Sequence, residues 1–99
     1  MEIRLLTPAE KELEDAFDFY EKQIRGLGSE FIDDILAAFK RIRTNPTAWT
    51  PFSKRTHRCL TNRFPYGIIY QIIDENLILI VAIAHLHRKP GYWKDRIET

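Results

Sequence analysis

The chain has 99 residues, 44% of them hydrophobic and twelve of them aromatic, which excludes a disordered chain and fits one small domain over residues 1–99. Its longest apolar run, Leu77 to Ala84, is far shorter than the roughly 20 residues a membrane helix needs; the opening MEIRLLTPAEKE has no signal-peptide core, and a single cysteine, Cys59, rules out an internal disulfide, so the expectation is a cytoplasmic protein with no membrane partner. Net charge is only +1, yet residues 1–34 carry ten acids and four bases while 35–63 carry seven bases and no acid, a block that can attract phosphates or an acidic protein segment.

Glu2 to Leu6 reads as a strand ended by Thr7-Pro8. Thr7 is the expected helix N-cap, with Pro8 in the first turn and Glu10 completing a capping box. Ala9, Leu13, Ala16, Phe17, Tyr20 and Ile24 then share one helical face. Gly26 and Gly28 interrupt the pattern. A second helix, starting near Ser29, buries Phe31, Ile35, Ala38, Phe39 and Ile42, with Ile32 and Leu36 widening the stripe. It stops before Asn45-Pro46, because the residue preceding proline leaves the helical region. Two amphipathic helices joined by so short a turn form an antiparallel hairpin.

Residues 45–54 have two prolines and no period, and read as a loop whose Trp49 and Phe52 cover one end of the core. Residues 55–63, 66–73 and 77–84 read as strands, the last two joined through Asp74-Glu75-Asn76 as a hairpin. An apolar run like 77–84 belongs to a central strand covered on both faces. The tail 90–99 suggests a short helix or an extended segment. The fold class is α+β: strand, helical hairpin, then a three-stranded antiparallel run completing one sheet. Tyr70 and a half-buried Cys59 take structural roles.

Candidate chemistry is sparse. No Gly-x-Ser-x-Gly turn or glycine-rich phosphate cradle is present, the acids of the first helix suit its solvent face, and no cofactor is implied. His85-x-His87 puts two imidazoles on one strand face within possible reach of His57, but such alternation is ordinary where a strand leaves the core, and no metal is assigned. Lys40, Arg41 and Arg43 suit the negative end of a helix. Lys54, Arg55, His57, Arg58, Arg63, His85, His87 and Arg88 remain near strand ends, with Tyr92 and Trp93 just beyond. Imidazole moves protons, guanidinium holds phosphate and aromatic rings stack bases, so this set suits either RNA cleavage or a binding surface.

The order Thr7-Pro8-Ala9-Glu10, Phe17-Asp18-Phe19-Tyr20, Asn45-Pro46, Arg63-Phe64-Pro65-Tyr66-Gly67-Ile68-Ile69-Tyr70 and Val81-Ala82-Ile83-Ala84-His85-Leu86-His87-Arg88 resembles the RelE/ParE superfamily of bacterial type II toxin–antitoxin toxins. The resemblance covers nearly the whole chain. It implies a plasmid-stabilisation toxin bound by a cognate antitoxin, with a helical hairpin on a curved antiparallel sheet. An antitoxin's acidic, disordered segment that folds on binding suits the acid-free block.

The superfamily divides by target. RelE-like members cleave mRNA on the ribosome, and by that resemblance His87, Arg58, Arg88 and Tyr92 would be catalytic. They commonly carry an arginine after the aromatic that opens the third strand, where this chain has Gly67. The loss would remove a phosphate contact worth about 3–4 kcal/mol by analogy with oxyanion donors. The Phe-Pro-Tyr motif and long helical hairpin look more like the ParE branch, which poisons DNA gyrase by binding it. There Lys54, Arg55, His57, Arg63, His85 and Trp93 are candidates for target or nucleic-acid binding. Gyrase, ribosome-bound mRNA, and an inactive relative that keeps only antitoxin binding all remain open.

Overall fold

A strand, two helices and four further strands follow one another in a computed structural model that describes residues 1–97; the part of the expected tail at Glu98 and Thr99 lies outside the described residues. The elements are β1 (Glu2–Leu5), α1 (Thr7–Gln23), α2 (Leu27–Thr44), β2 (Thr50–Pro51), β3 (His57–Leu60), β4 (Tyr66–Asp74) and β5 (Leu77–His85), then a 3-10 turn at Lys94–Arg96. The sheet order is β1-β5-β4-β3-β2. β1 pairs parallel with β5, Glu2 opposite Leu77 and Leu5 opposite Ile80; every other pairing is antiparallel. Among the described residues no helix is long and apolar enough to cross a membrane.

Thr7 does not cap α1. The N-cap is Leu6, in extended backbone and without a side-chain cap. Its N–H continues the ladder to the Ile80 carbonyl (3.0 Å), so β1 runs directly into the helix and Thr7 falls inside the first turn. Ile24, expected on the buried face, is the extended C-cap of α1 and 64% exposed, because the helix ends before its side chain completes the stripe.

Gly26 turns the chain at φ 89°, and α2 begins at Leu27, so Gly28 lies within its first turn. The carboxylate of Glu21 on α1 accepts the N–H groups of Gly26 and Gly28, each at 3.0 Å, satisfying donors that a helix start leaves without partners. Glu21 is therefore a cap rather than a solvent-face acid. Leu36, expected to widen the α2 stripe, is exposed.

The helices cover one face of the sheet. Phe31, Ile35, Ala38 and Ile42 of α2 pack there with Ile68, Tyr70, Ile78, Ile80 and Ile83 of β4 and β5. Tyr20, Phe31, Phe64 and Tyr66 add a cluster of aromatic rings in edge and tilted contact. Ile69, Val81, Ala82 and Trp93 pack on the opposite face. The register explains why adjacent Val81 and Ala82 both point there: Ile69 faces Ala82 and Tyr70 faces Ile80, leaving Val81 as the extra residue of a bulge. β5 is thus covered on both sides, as its apolar run requires.

The expected loop 45–54 contains β2. Two residues carry no readable period, and an edge position tolerates Pro51. Trp49 and Phe52 do not cover the same end of the core: Trp49 joins the helix-side cluster and Phe52 packs with Trp93 on the other face. Cys59 is fully buried, not half-buried, because its side chain points under the helices; burial pushes its thiol up, with Arg41 pulling the other way.

Candidate functional site on the open face of the sheet

Gly67 organises the face opposite the helices. A Cβ there would come within 3.0 Å of Arg58 Cδ and 3.2 Å of its Cγ. The glycine leaves room for the stem of Arg58 to lie against it, with the guanidinium 4.6 Å from the centre of the Phe52 ring. In the turn after β5, Arg88 donates its backbone N–H to the His85 carbonyl (3.0 Å) and lays its guanidinium 3.9 Å from the Tyr92 ring centre. The two arginines, with His85, Lys89, Tyr92 and Trp93, help line a concavity of about 50 Å³.

Tyr92 is held from behind. Its hydroxyl donates to Glu12 Oε2 on α1, and Arg96 donates to both Glu12 oxygens at 2.8 and 3.0 Å. Glu12 Oε1 also accepts the Ile83 N–H (3.0 Å), a donor of β5 beyond the end of β1. Burial, followed by the Glu12 hydrogen bond, pushes the Tyr92 hydroxyl well above the ordinary phenol range, so it donates a hydrogen bond and does not supply a base. Glu12 is another acid the helical pattern leaves on the solvent face. Its partners lie more than seventy positions along the chain, where local spacing carries no trace of them.

The other expected site residues separate. Trp93, proposed as a surface aromatic, is 2% exposed and packs on Ile69, Val81 and Ala82, because this face of the sheet is apolar and needs a cover. Tyr92 carries Arg88 on its ring. His57 stacks on Tyr70 (5.4 Å, 19°), whereas His85 meets Tyr66 four positions away along the same strand, so the three histidines do not converge. Nδ1 of His57 is buried without a hydrogen-bond partner. Among the described residues no group of three His, Cys, Asp or Glu side chains could hold a metal ion.

His87 is exposed beside His85, the rings 4.9 Å apart, and its backbone N–H donates to His85 Nδ1 (3.1 Å). Arg63 is drawn off towards α2, where it pairs with Glu30 (2.8 Å). Lys54 and Arg55 lie exposed between β2 and β3, away from the concavity. Arg58, His85, Arg88, Tyr92 and Trp93 are thus brought together; Lys54, Arg55, His57, Arg63 and His87 are not.

The most conspicuous motif, Arg63-Phe64-Pro65-Tyr66, has a different task. Asp34, 7% exposed on α2, accepts the backbone N–H groups of Asn62 (3.2 Å), Arg63 (2.9 Å) and Phe64 (2.9 Å). Burial alone would raise the carboxyl's pKa, but these three donors and nearby Arg41 outweigh it and hold the group below the usual carboxylate range. Arg41 also donates to the Leu60 carbonyl (2.9 Å). The connection between β3 and β4 is fastened to α2 at both points, and that fixes where β4, with Gly67 as its second residue, begins.

The strand, helical hairpin and five-stranded sheet thus place one cation-lined concavity on the face away from the helices. The family model described as the ParE toxin of the type II toxin–antitoxin system parDE matches residues 3–90, and the chain belongs to that family. A solved structure from the chromosomal ParDE system of P. aeruginosa superposes with a TM-score of 0.74 at 18% identity, covering 88% of this chain and 97% of that one, a likeness of fold. No curated protein matches the chain significantly.

Proposed function

We propose that this type II toxin is neutralised by a cognate antitoxin and arrests growth in the cytoplasm by binding DNA gyrase, without cleaving a substrate itself. The supporting observation is the arrangement around Gly67. The guanidinium groups of Arg58 and Arg88 rest on Phe52 and Tyr92, the Tyr92 hydroxyl is committed to Glu12, and His87 lies outside the concavity. Cleavage of RNA needs an acid and a base within reach of the same phosphodiester, and binding to a protein target needs neither.

Pulse-labelling after expression of the chain alone, with a supercoiling assay on purified gyrase, tests this. The expected result is an early fall in DNA synthesis with a damage response, inhibited supercoiling, and growth arrest that persists in His87→Ala. Gyrase that supercoils normally at saturating toxin would overturn it.

A mechanism of mRNA cleavage draws on one observation, the convergence of Arg58, His85 and Arg88 on one concavity. Transcripts cut at codon-linked positions, with an early fall in protein synthesis, would establish that reading instead. Soluble expression without growth arrest would mark a chain that retains antitoxin binding alone.

A further inference from the structure

The two edges of the sheet differ. β2 contributes only two residues, and Pro51 blunts that edge. β1 presents Glu2, Ile3, Arg4 and Leu5, and among the described residues no strand pairs with its outer side. The N–H groups of Glu2 and Leu6 turn inward, to the carbonyls of Asn76 (2.8 Å) and Ile80 (3.0 Å). Strand alternation therefore turns the backbone N–H and carbonyl groups of Ile3 and Leu5 outward. The side chains of Ile3 and Leu5 pack on the helix side, whereas Glu2 and Arg4 project from the other face, bridged to each other at 2.9 Å and mostly exposed. Charges on an edge strand ordinarily keep other strands away. Here their order makes the edge complementary to itself. An antiparallel pair of β1 strands must bring outward-facing groups opposite one another, so the pairing can shift only by two residues at a time. With Ile3 opposite Ile3, each Glu2 lies opposite an Arg4. Sliding either way to the next allowed register sets Arg4 against Arg4 or Glu2 against Glu2, which like-charge repulsion disfavours.

We propose that β1 is a docking edge for a second copy of this chain. The two copies join antiparallel about a two-fold axis through the Ile3 pair, where the two residues exchange both backbone hydrogen bonds and each Glu2 meets the other copy's Arg4. The two five-stranded sheets then run on as one. Opposed residues of an antiparallel pair share a face, so both helical hairpins lie on one side and both cation-lined concavities on the other. The inference does not depend on the toxin's target.

Sedimentation of the purified full chain over a range of concentrations, with amide exchange followed by NMR, tests it. The expected result is a monomer–dimer equilibrium in which the Ile3 amide gains protection as the dimer forms. Glu2→Arg and Arg4→Glu each set like charges opposite one another and should each weaken association about tenfold. Mixed in equal amounts, the two variants are complementary again, and they should associate with each other as tightly as the natural chain does with itself. Ile3→Pro removes an outward N–H that β5 does not use, and should leave a folded monomer. A chain that stays monomeric up to about 1 mM would overturn the proposal. So would a dimer that both charge variants form as readily, or a mixture that associates no more tightly than either variant alone. An Ile3 amide protected only when another protein is added would give the edge to a partner's strand and also overturn it. Both charge variants keep the backbone of β1, so the mixing experiment decides even if Ile3→Pro fails to fold.

Discussion

Asp34 stands beside Asp33 on α2; Asp34, three residues after Phe31 and four before Ala38, borders the buried stripe and collects three backbone N–H groups from residues 62–64, while Asp33 points away and is exposed. Asp34→Ala strands those donors beneath the helix and should cost about 2–3 kcal/mol, measured as a lower urea midpoint at unchanged slope. Asp33→Ala should stay within about 0.5 kcal/mol. The Arg63-Phe64-Pro65-Tyr66 motif is plain in the sequence, but its partner is some thirty residues upstream, so its work as a clamp was not legible. The same distance hid Glu12 and Glu21 among the other acids of α1. Arg58 and Gly67, by contrast, were each identifiable as unusual residues; that one lies across the other required the strand register.

Both helices are readable from their apolar spacing, because a helix that packs on a sheet must repeat its contacts every three to four residues. Their ends were less legible. Thr7 offers a cap that β1 overrides by extending through Leu6, and Gly28 looks like a breaker although it lies inside α2. Its missing side chain serves packing: a Cβ would sit 2.9 Å from both Phe17 Cδ1 and Glu21 Oε1. Gly28→Ala would gain up to about 1 kcal/mol at an exposed helix position. Here overpacking should reverse the sign, with a net loss of about 1–2 kcal/mol visible as a lower melting temperature. The C-terminal segment packs as a cover over the open sheet face, and Trp93→Ala should cost about 3–5 kcal/mol in the same assay. Sequence order alone left Trp93 looking like a surface aromatic, since a short tail has no period to reveal which face it covers.

For the whole molecule, the Asp34 clamp sets a direction for acid sensitivity. Its carboxyl titrates lower in the folded chain than the 3.8 of an unperturbed group, so its contribution is complete above that value. The contribution fades as pH falls from there through the lower folded-state value. The natural chain should therefore lose stability more steeply below pH 4 than Asp34→Asn, which has no such carboxyl to protonate; equal slopes in acid unfolding would contradict the clamp. The α+β class and the β4–β5 hairpin were legible because strand period and turn residues are local signals. The parallel pairing of β1 was not, since its partner lies three-quarters of the chain away. That pairing bears on how the toxin comes into being. β1 has no seat in the sheet until β5, the last of the five described strands, has emerged, so a nascent chain that has not reached β5 lacks one edge of its sheet and the β5 carbonyl that receives Leu6. A chain that stops short of β5 therefore leaves β1 without its hydrogen-bonding partner and the helices without Ile78, Ile80 and Ile83 beneath them.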